Sequence, residues 1–544
     1  MPTATDKPWF RPRNLVLLVV AILLTAVGRQ VYLAVTAKPG QSIDYAAKLQ
    51  ELVDSNQPKD VPPGSPDGWP ILLDAIARRT IAEERVWPAA ERQSTVPLDY
   101  SALFSPAHSK SYDNTHSWDE VRARAMTGLQ ALRDEGVFAR LDELAHTRRA
   151  VRPIPKGKLI EILLPELGAT RALARAEGAR MFLAHQANDG PEFTNAYEQT
   201  LALGRTVGLQ TFLIEHLVGI AIVALADNQL REALTEKPFD AATCRALLAA
   251  MDRQLPLPPI ANAMEAERLS TLDTIQWTHT DDGHGSGRLI MSSYRQLGGV
   301  VGNTSSSWLD SVLEWRILNL GGLAFPSKAS STKKANEFFD LVESYSRLSA
   351  AERIASGNSP EAWLQRLPKR YVILHILVPA LDKALSSRTQ LEMSNAATRL
   401  MLALEIYNAE NGRYPDTLSQ LVPSVLPAIP PDPCNAAGVW GYKLLTPEQD
   451  AVRRADGTPR PYLLYSFGVD GKDNDGKVLE KNPYAALRLP AGLGLDWIAN
   501  EPRTRPQPEP EDAIRTESPA EPPAGLPEAS PQAAPPAAPS STGP

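Results

Sequence analysis

The run Asn14-Leu-Val-Leu-Leu-Val-Val-Ala-Ile-Leu-Leu-Thr-Ala-Val27 constrains this chain more than any other feature, because it is almost continuously apolar. With Val31-Tyr-Leu-Ala-Val35 beyond Arg29 it reaches the roughly 20 residues that cross a bilayer as a helix. The run shows no polar face, and a helix apolar all round beside a basic N-terminus is directed to a membrane. Lys7, Arg11 and Arg13 precede it, so residues 1–13 are expected in the cytoplasm and the rest of the chain outside it. Arg29 can snorkel toward the far headgroups. Two readings stand: a retained signal-anchor over residues 14–36, or a signal peptide cleaved near Val35-Thr-Ala37. The return of apolar residues after Arg29 favours the anchor. The expected location is a bacterial inner membrane, crossed once, with the N-terminus in and the bulk periplasmic.

The 544 residues exceed one ordinary core. A net charge of −7, with both signs interspersed, leaves no basic footprint for phosphates, so nucleic acid is not an expected partner. Two distant cysteines, Cys244 and Cys434, form neither a disulfide framework nor a metal ribbon.

From 38 to 387 the pattern is that of helices joined by short Pro/Gly-marked loops, an all-α ectodomain. Leu173, Ala176, Ala179 and Leu183 form one stripe, and Phe193, Tyr197, Leu201 and Gly204 another, after the turn Asn188-Asp-Gly-Pro191. That pattern predicts a helical hairpin. A third stripe, Leu209, Leu213, Leu217, Ile220 and Ala224, is apolar on several sides and is expected deepest in the bundle. No consensus recurs at the period of about 34 residues that marks a tetratricopeptide solenoid. Segments 61–68 and 281–287 carry turn formers and read as loops. Tyr371–Pro379 is apolar but short, with Pro379 inside it, and reads as a buried, kinked helix. From 501 to 544 the Pro/Ala/Glu/Ser composition cannot repay ordering, so a disordered tail is expected.

Residues 388–500 change character. Met393, Ala397, Leu400, Leu404 and Tyr407 mark a helix face that ends at Asn411-Gly412, where glycine suits a left-handed cap. Pro415 pushes Tyr414 out of helix, Asp416 is placed to cap a short helix through Leu421, and Ile429–Pro433 runs extended. Val439–Leu445 and Tyr462–Phe467 read as an antiparallel hairpin with a turn near 455–458. A small α+β module results.

Three of its motifs, Ala403-Leu-Glu-Ile-Tyr-Asn-Ala-Glu-Asn-Gly-Arg-Tyr-Pro415, Pro431-Asp-Pro433 and Leu464-Tyr-Ser-Phe-Gly-Val-Asp-Gly471, stand in an order that resembles the C-terminal domain of the major pseudopilin of type II secretion. The whole layout is also similar to large envelope proteins of planctomycete-type bacteria that carry this ending. The resemblance implies a calcium site that includes Asp470, with Asp473 and Asp475 in the loop that follows. Independently, Asp470-Gly-Lys-Asp-Asn-Asp-Gly476 sets three carboxylates in a tight turn, as Ca²⁺ requires, although Asp, Asn and Gly are also ordinary turn residues. The chain departs from the family at its start: Phe10-Arg-Pro-Arg-Asn14 lacks the processing glycine, and residues 38–387 separate the apolar run from the module.

Local catalytic signatures are missing from the sequence: no nucleophile elbow, His-Glu-x-x-His, phosphate loop or Cys-x-x-Cys. His279, Asp281, Asp282 and His284 share a Gly-rich loop that could ligate zinc, or be solvated. Glu215-His216 sits in the most apolar helix as an acid/base candidate, or as a core pair. Glu265, Glu267 and Asp273 beside Arg268 read as ion pairing on a wet face. The leading expectation is a non-catalytic interaction or scaffold protein at the envelope, linked to secretion or pilus-like machinery. The alternative is a membrane-tethered hydrolase or metal-dependent enzyme with its site in the helical body.

Overall fold

The computed structural model describes residues 12–281, 287–290, 293, 325–450, 458–477 and 495–501, with gaps at 36–37, 41, 60, 63, 93–94, 106–110 and 378–380. The basic residues Lys7 and Arg11, loop residues Asp282 and His284, most of the expected 455–458 turn and the tail from 502 lie outside the described residues. The chain is mainly helical, with one small antiparallel sheet.

Helix α1, Pro12–Val35, has 24 residues. At 1.5 Å per residue it is about 36 Å long, and its apolar part, Val16–Arg29, makes up about 21 Å of that. Val16, Leu17, Leu18, Val19, Val20, Ile22, Leu23, Leu24 and Val27 are all exposed, from 44 % at Val20 to 67 % at Leu24.

The body begins with α2 (Tyr45–Ser55) and α3 (Gly68–Val86), each started by an aspartate, Asp44 or Asp67, whose carboxylate accepts an early amide. Next come α4 (Trp118–Asp134), opened by a Ser117/Glu120 capping box, and α5 (Val137–Ala145), separated from it by Gly136 at φ +75°. The expected hairpin is α6 (Glu166–Gln186) and α7 (Gly190–Gly208), joined at Asn188 (φ +56°) and capped by Asp189. Helix α8, Leu213–Glu236, starts four residues later than its apolar stripe, because Leu209–Phe212 forms the corner after α7. It is long and apolar enough to cross a bilayer, but 67 % of its apolar window is buried by neighbouring helices, as a core helix is.

Helices α7 and α8 meet at glycine. A Cβ on Gly219 would lie 2.6 Å from the Gly204 carbonyl oxygen and 3.1 Å from the Gly208 nitrogen. Helices α9 (Ala241–Gln254) and α10 (Ile260–Thr278) complete this part. After the gap come α11 (Lys328–Ser346), α12 (Ala350–Ser356), α13 (Pro360–Arg366), α14 (Val372–Leu377) and α15 (Leu381–Asn411). Ile373 and Leu374 of α14 are buried in one cluster with α10 and α11, as expected for a core segment.

Helix α15 ends where Gly412 takes φ +67° and its N–H donates to the Asn408 carbonyl, 2.8 Å. A short 3-10 turn covers Leu418–Leu421; its N-cap is Thr417 rather than Asp416, and no side chain caps it. Strands β1 (Trp440–Leu444) and β2 (Tyr462–Ser466) pair antiparallel, Trp440 opposite Ser466. A third strand, β3 (Trp497–Ile498), adds to the free edge of β2. The 387/388 boundary falls inside α15, which packs on α8 and α9. Met393, Leu400, Leu404, Trp440, Tyr462 and Trp497 share one apolar cluster with residues of α7, α8 and α9. The module and the body therefore bury a common core.

Candidate functional site

Glu215 is the third residue of α8 and fully buried. Its Oε2 accepts from the Phe212 amide (2.9 Å), the Thr211 amide (3.1 Å) and the Arg152 Nη2 (3.1 Å). These donors close the first turn of α8 and tie it to the irregular segment after α5. Arg152 lies over the Phe212 ring and reaches toward Glu166, whose Oε1 is 3.9 Å from Nη1. Glu215 Oε1, Glu166 Oε1 and Arg152 Nε make no hydrogen bond. Burial pushes the Glu215 carboxyl up to about 7, against the opposing pull of Arg152.

Arg152 and Glu166 form part of the wall of a 610 Å³ pocket, together with Trp69, Pro155, Lys156 and Lys158. Glu215 stands outside the lining. Its neighbour on the helix, His216, is also buried but faces the Gly208 backbone, and burial followed by the charge of Arg388 lowers it to about 4. Successive residues of a helix point about 100° apart, so Glu215 and His216 do not form an acid/base pair. Chemically, the arrangement offers a guanidinium and the Glu166 carboxylate to the pocket, with Glu215 as their fixed support. Sequence reasoning missed Arg152 and Glu166, whose only local signal is the Pro-rich loop around them.

The other candidates go to structural tasks. His279 is 1 % exposed, and its Nδ1 lies 3.0 Å from the Ile275 carbonyl. Asp281 pairs with Lys328 at 2.8 Å. On α10 only Glu265 ion-pairs with Arg268 in the expected way, at 3.0 Å. Glu267 instead accepts the Leu213 amide (3.0 Å) and Asp273, 3 % exposed, the Leu159 amide (2.8 Å). The wet-face expectation fails for these two because they satisfy backbone donors of other segments.

In the C-terminal loop, Asp470 accepts the Lys472 amide (3.1 Å), and Asp473 accepts the Asp475 amide (2.8 Å) and the Tyr465 hydroxyl (3.1 Å). Asp475, at φ +64°, is held by Lys443 through both its carboxylate (2.7 Å) and its carbonyl (2.9 Å). Asp496, missed in the sequence because residues 478–494 intervene, is buried and accepts the Gly476 amide at 2.7 Å. Among the described residues no group of three or more His, Cys, Asp or Glu side chains gathers closely enough to hold a metal ion. As arranged, the Lys443 ammonium holds the Asp475 oxygens that a cation would need. No protein-family model matches the chain, and no match emerged among curated proteins or solved structures.

Proposed function

We propose that α1 anchors the chain in a membrane and that the remaining helices and the sheet form one extracytoplasmic, non-catalytic interaction scaffold, working beside secretion or pilus-like machinery. The observation that carries the reading is α1 itself: a 24-residue helix whose apolar side chains from Val16 to Val27 lie exposed. Nine such side chains in water would cost on the order of 10 kcal/mol, and lipid removes that cost. The test is topological. The chain should stay with membranes through alkaline carbonate extraction, and a reporter fused at Ser42 should be active only outside the cytoplasm. A freely soluble product or a cytoplasmic reporter would overturn the anchor.

A second reading, the membrane-tethered hydrolase, is supported by the 610 Å³ pocket beside Arg152 and Glu166. Screening of hydrolase substrates, metal analysis, and the variants Glu215→Ala and His216→Ala separate the two. Activity lost in a variant that remains folded would favour the enzyme. Calcium at Asp470, Asp473 and Asp475 belongs to the scaffold reading as a stiffener, and it requires Asp475 to exchange Lys443 for the ion. Millimolar calcium should then raise the melting temperature of the sheet module. An unchanged melt would argue against it.

A further inference from the structure

We infer that the loop 153–165, together with the start of α3, rests on the surface of the membrane that holds α1, with Leu163 and Leu73 dipping into its headgroup layer. The inference rests on the anchor reading and adds to it the face of the body that the bilayer meets. Leu163 is 84 % exposed, more than any other large apolar side chain among the described residues. Its exposure is built in. The Ile154 amide donates to Gln50 (2.8 Å) and the Leu159 amide to Asp273 (2.8 Å), so the loop is fastened to α2 and α10. Leu159 is buried, and Ile162 and Leu164 pack on the same apolar cluster. Ile162 is extended, and alternation along the backbone turns Leu163 outward between its two neighbours.

Leu163 and Leu73, the latter 44 % exposed on α3, line one groove with Pro155, Lys156 and Lys158. One exposed leucine is ordinary, but two on a shared rim make a patch. Lysine stems lie along apolar surface while their ammonium groups reach toward phosphates, which suits this rim to a headgroup layer. Lys158 also pairs with Glu161 at 2.6 Å, so the rim carries little net charge and apolar contact sets its partner.

The tether decides what covers the patch. Helix α1 ends at Val35 and Pro39 already bridges Thr280 of the body, so the four steps between them span at most about 14 Å. Gly40 is held by His279 and Lys328, and the Ser42 and Ile43 amides donate to Gln276 (3.1 and 3.0 Å). The next residue, Trp277, carries Lys158 over its ring at 4.9 Å. The chain thus leaves the bilayer beside the groove, and the bilayer is the surface that its short, pinned tether brings to the rim.

The test uses the full chain in vesicles of phosphatidylcholine and phosphatidylglycerol, with introduced cysteines that carry an environment-sensitive nitrobenzoxadiazole dye. Cys244 and Cys434 are buried and stay unlabelled. The quencher is a lipid with a nitroxide near the top of its acyl chain, the depth of about 5–10 Å that interfacial side chains reach. Tyr32→Cys on α1 reports insertion of the anchor, and Val439→Cys, at a half-exposed position beside β1, reports the sheet. Leu163→Cys and Leu73→Cys should shift to the blue and lose most of their emission to the quencher, as Tyr32→Cys does, while Val439→Cys keeps its emission. Quenching at Tyr32→Cys alone would overturn the inference and leave the anchor standing. Quenching at none of the four would overturn both, and equal quenching at Val439→Cys would overturn the choice of face.

Discussion

Replacing Gly219 by alanine tests how tightly α7 and α8 are held together. The added Cβ would meet the Gly204 carbonyl oxygen at 2.6 Å and the Gly208 nitrogen and Cα at 3.1 and 3.2 Å. All three are backbone atoms of α7, so no side chain can swing away, and the helices must part. Alanine gains up to about 1 kcal/mol in helix propensity over glycine. Overpacking of this kind costs about 1–3 kcal/mol, and an unyielding backbone puts the cost at the upper end, for a net loss near 2 kcal/mol. The matched control is Gly168→Ala on α6, where nothing lies within 4 Å and a small gain is expected. The most local readout is amide hydrogen exchange of α7 and α8. Protection there should fall roughly thirtyfold in Gly219→Ala, at about 1.4 kcal/mol per decade, and stay or rise in Gly168→Ala. Equal protection in both variants would refute the argument that helix proximity, rather than helix propensity, dictates glycine at 219.

Arg152→Met leaves the fully buried Glu215 without its cation and should cost roughly 3–5 kcal/mol in chemical denaturation, with much of it recovered in Arg152→Met/Glu215→Gln. Burial lowers His216 from 6.5 to about 4, so the folded state binds fewer protons than the unfolded one in that window. Stability from this group is therefore complete above pH 6.5 and lost as pH falls through about 4, at most about 3 kcal/mol. The melting temperature of His216→Leu should fall less steeply than that of the parent between pH 6.5 and 4, and parallel curves would contradict the assignment. Cys244 and Cys434 are free and buried, with burial raising the Cys244 thiol to about 12 and Cys434 well above its usual value. Neither should react with a thiol reagent in the native protein, and both should react in denaturant.

Where sequence carried local information, it was readable. The turn Asn188–Pro191 separates α6 from α7 as its Asp cap and proline require, and Gly412 ends α15 as its left-handed φ requires. The β1/β2 hairpin follows from two short runs rich in aromatic and aliphatic residues on either side of a turn-rich connection. What escaped was set by tertiary partners. β3 is two residues long and exists only because β2 offers a free edge. Glu267 and Asp273 have helical spacing from Arg268, yet their partners are amides of α8 and of the turn at Leu159. The 610 Å³ pocket depends on Arg152 and Glu166 meeting across the loop between α5 and α6, which no spacing rule encodes. The composition shift near 388 is real, but the helix runs through it because Leu385 and Leu391 each have a core to enter.

Helix α15 spans 31 residues, about 46 Å of unbroken rod. Its first turns lie in the α10/α11 cluster and its last turns beneath the sheet. One continuous helix thus joins the sheet to the far end of the helical body, so a load on the β-strands falls on an element already braced by α8 and α9.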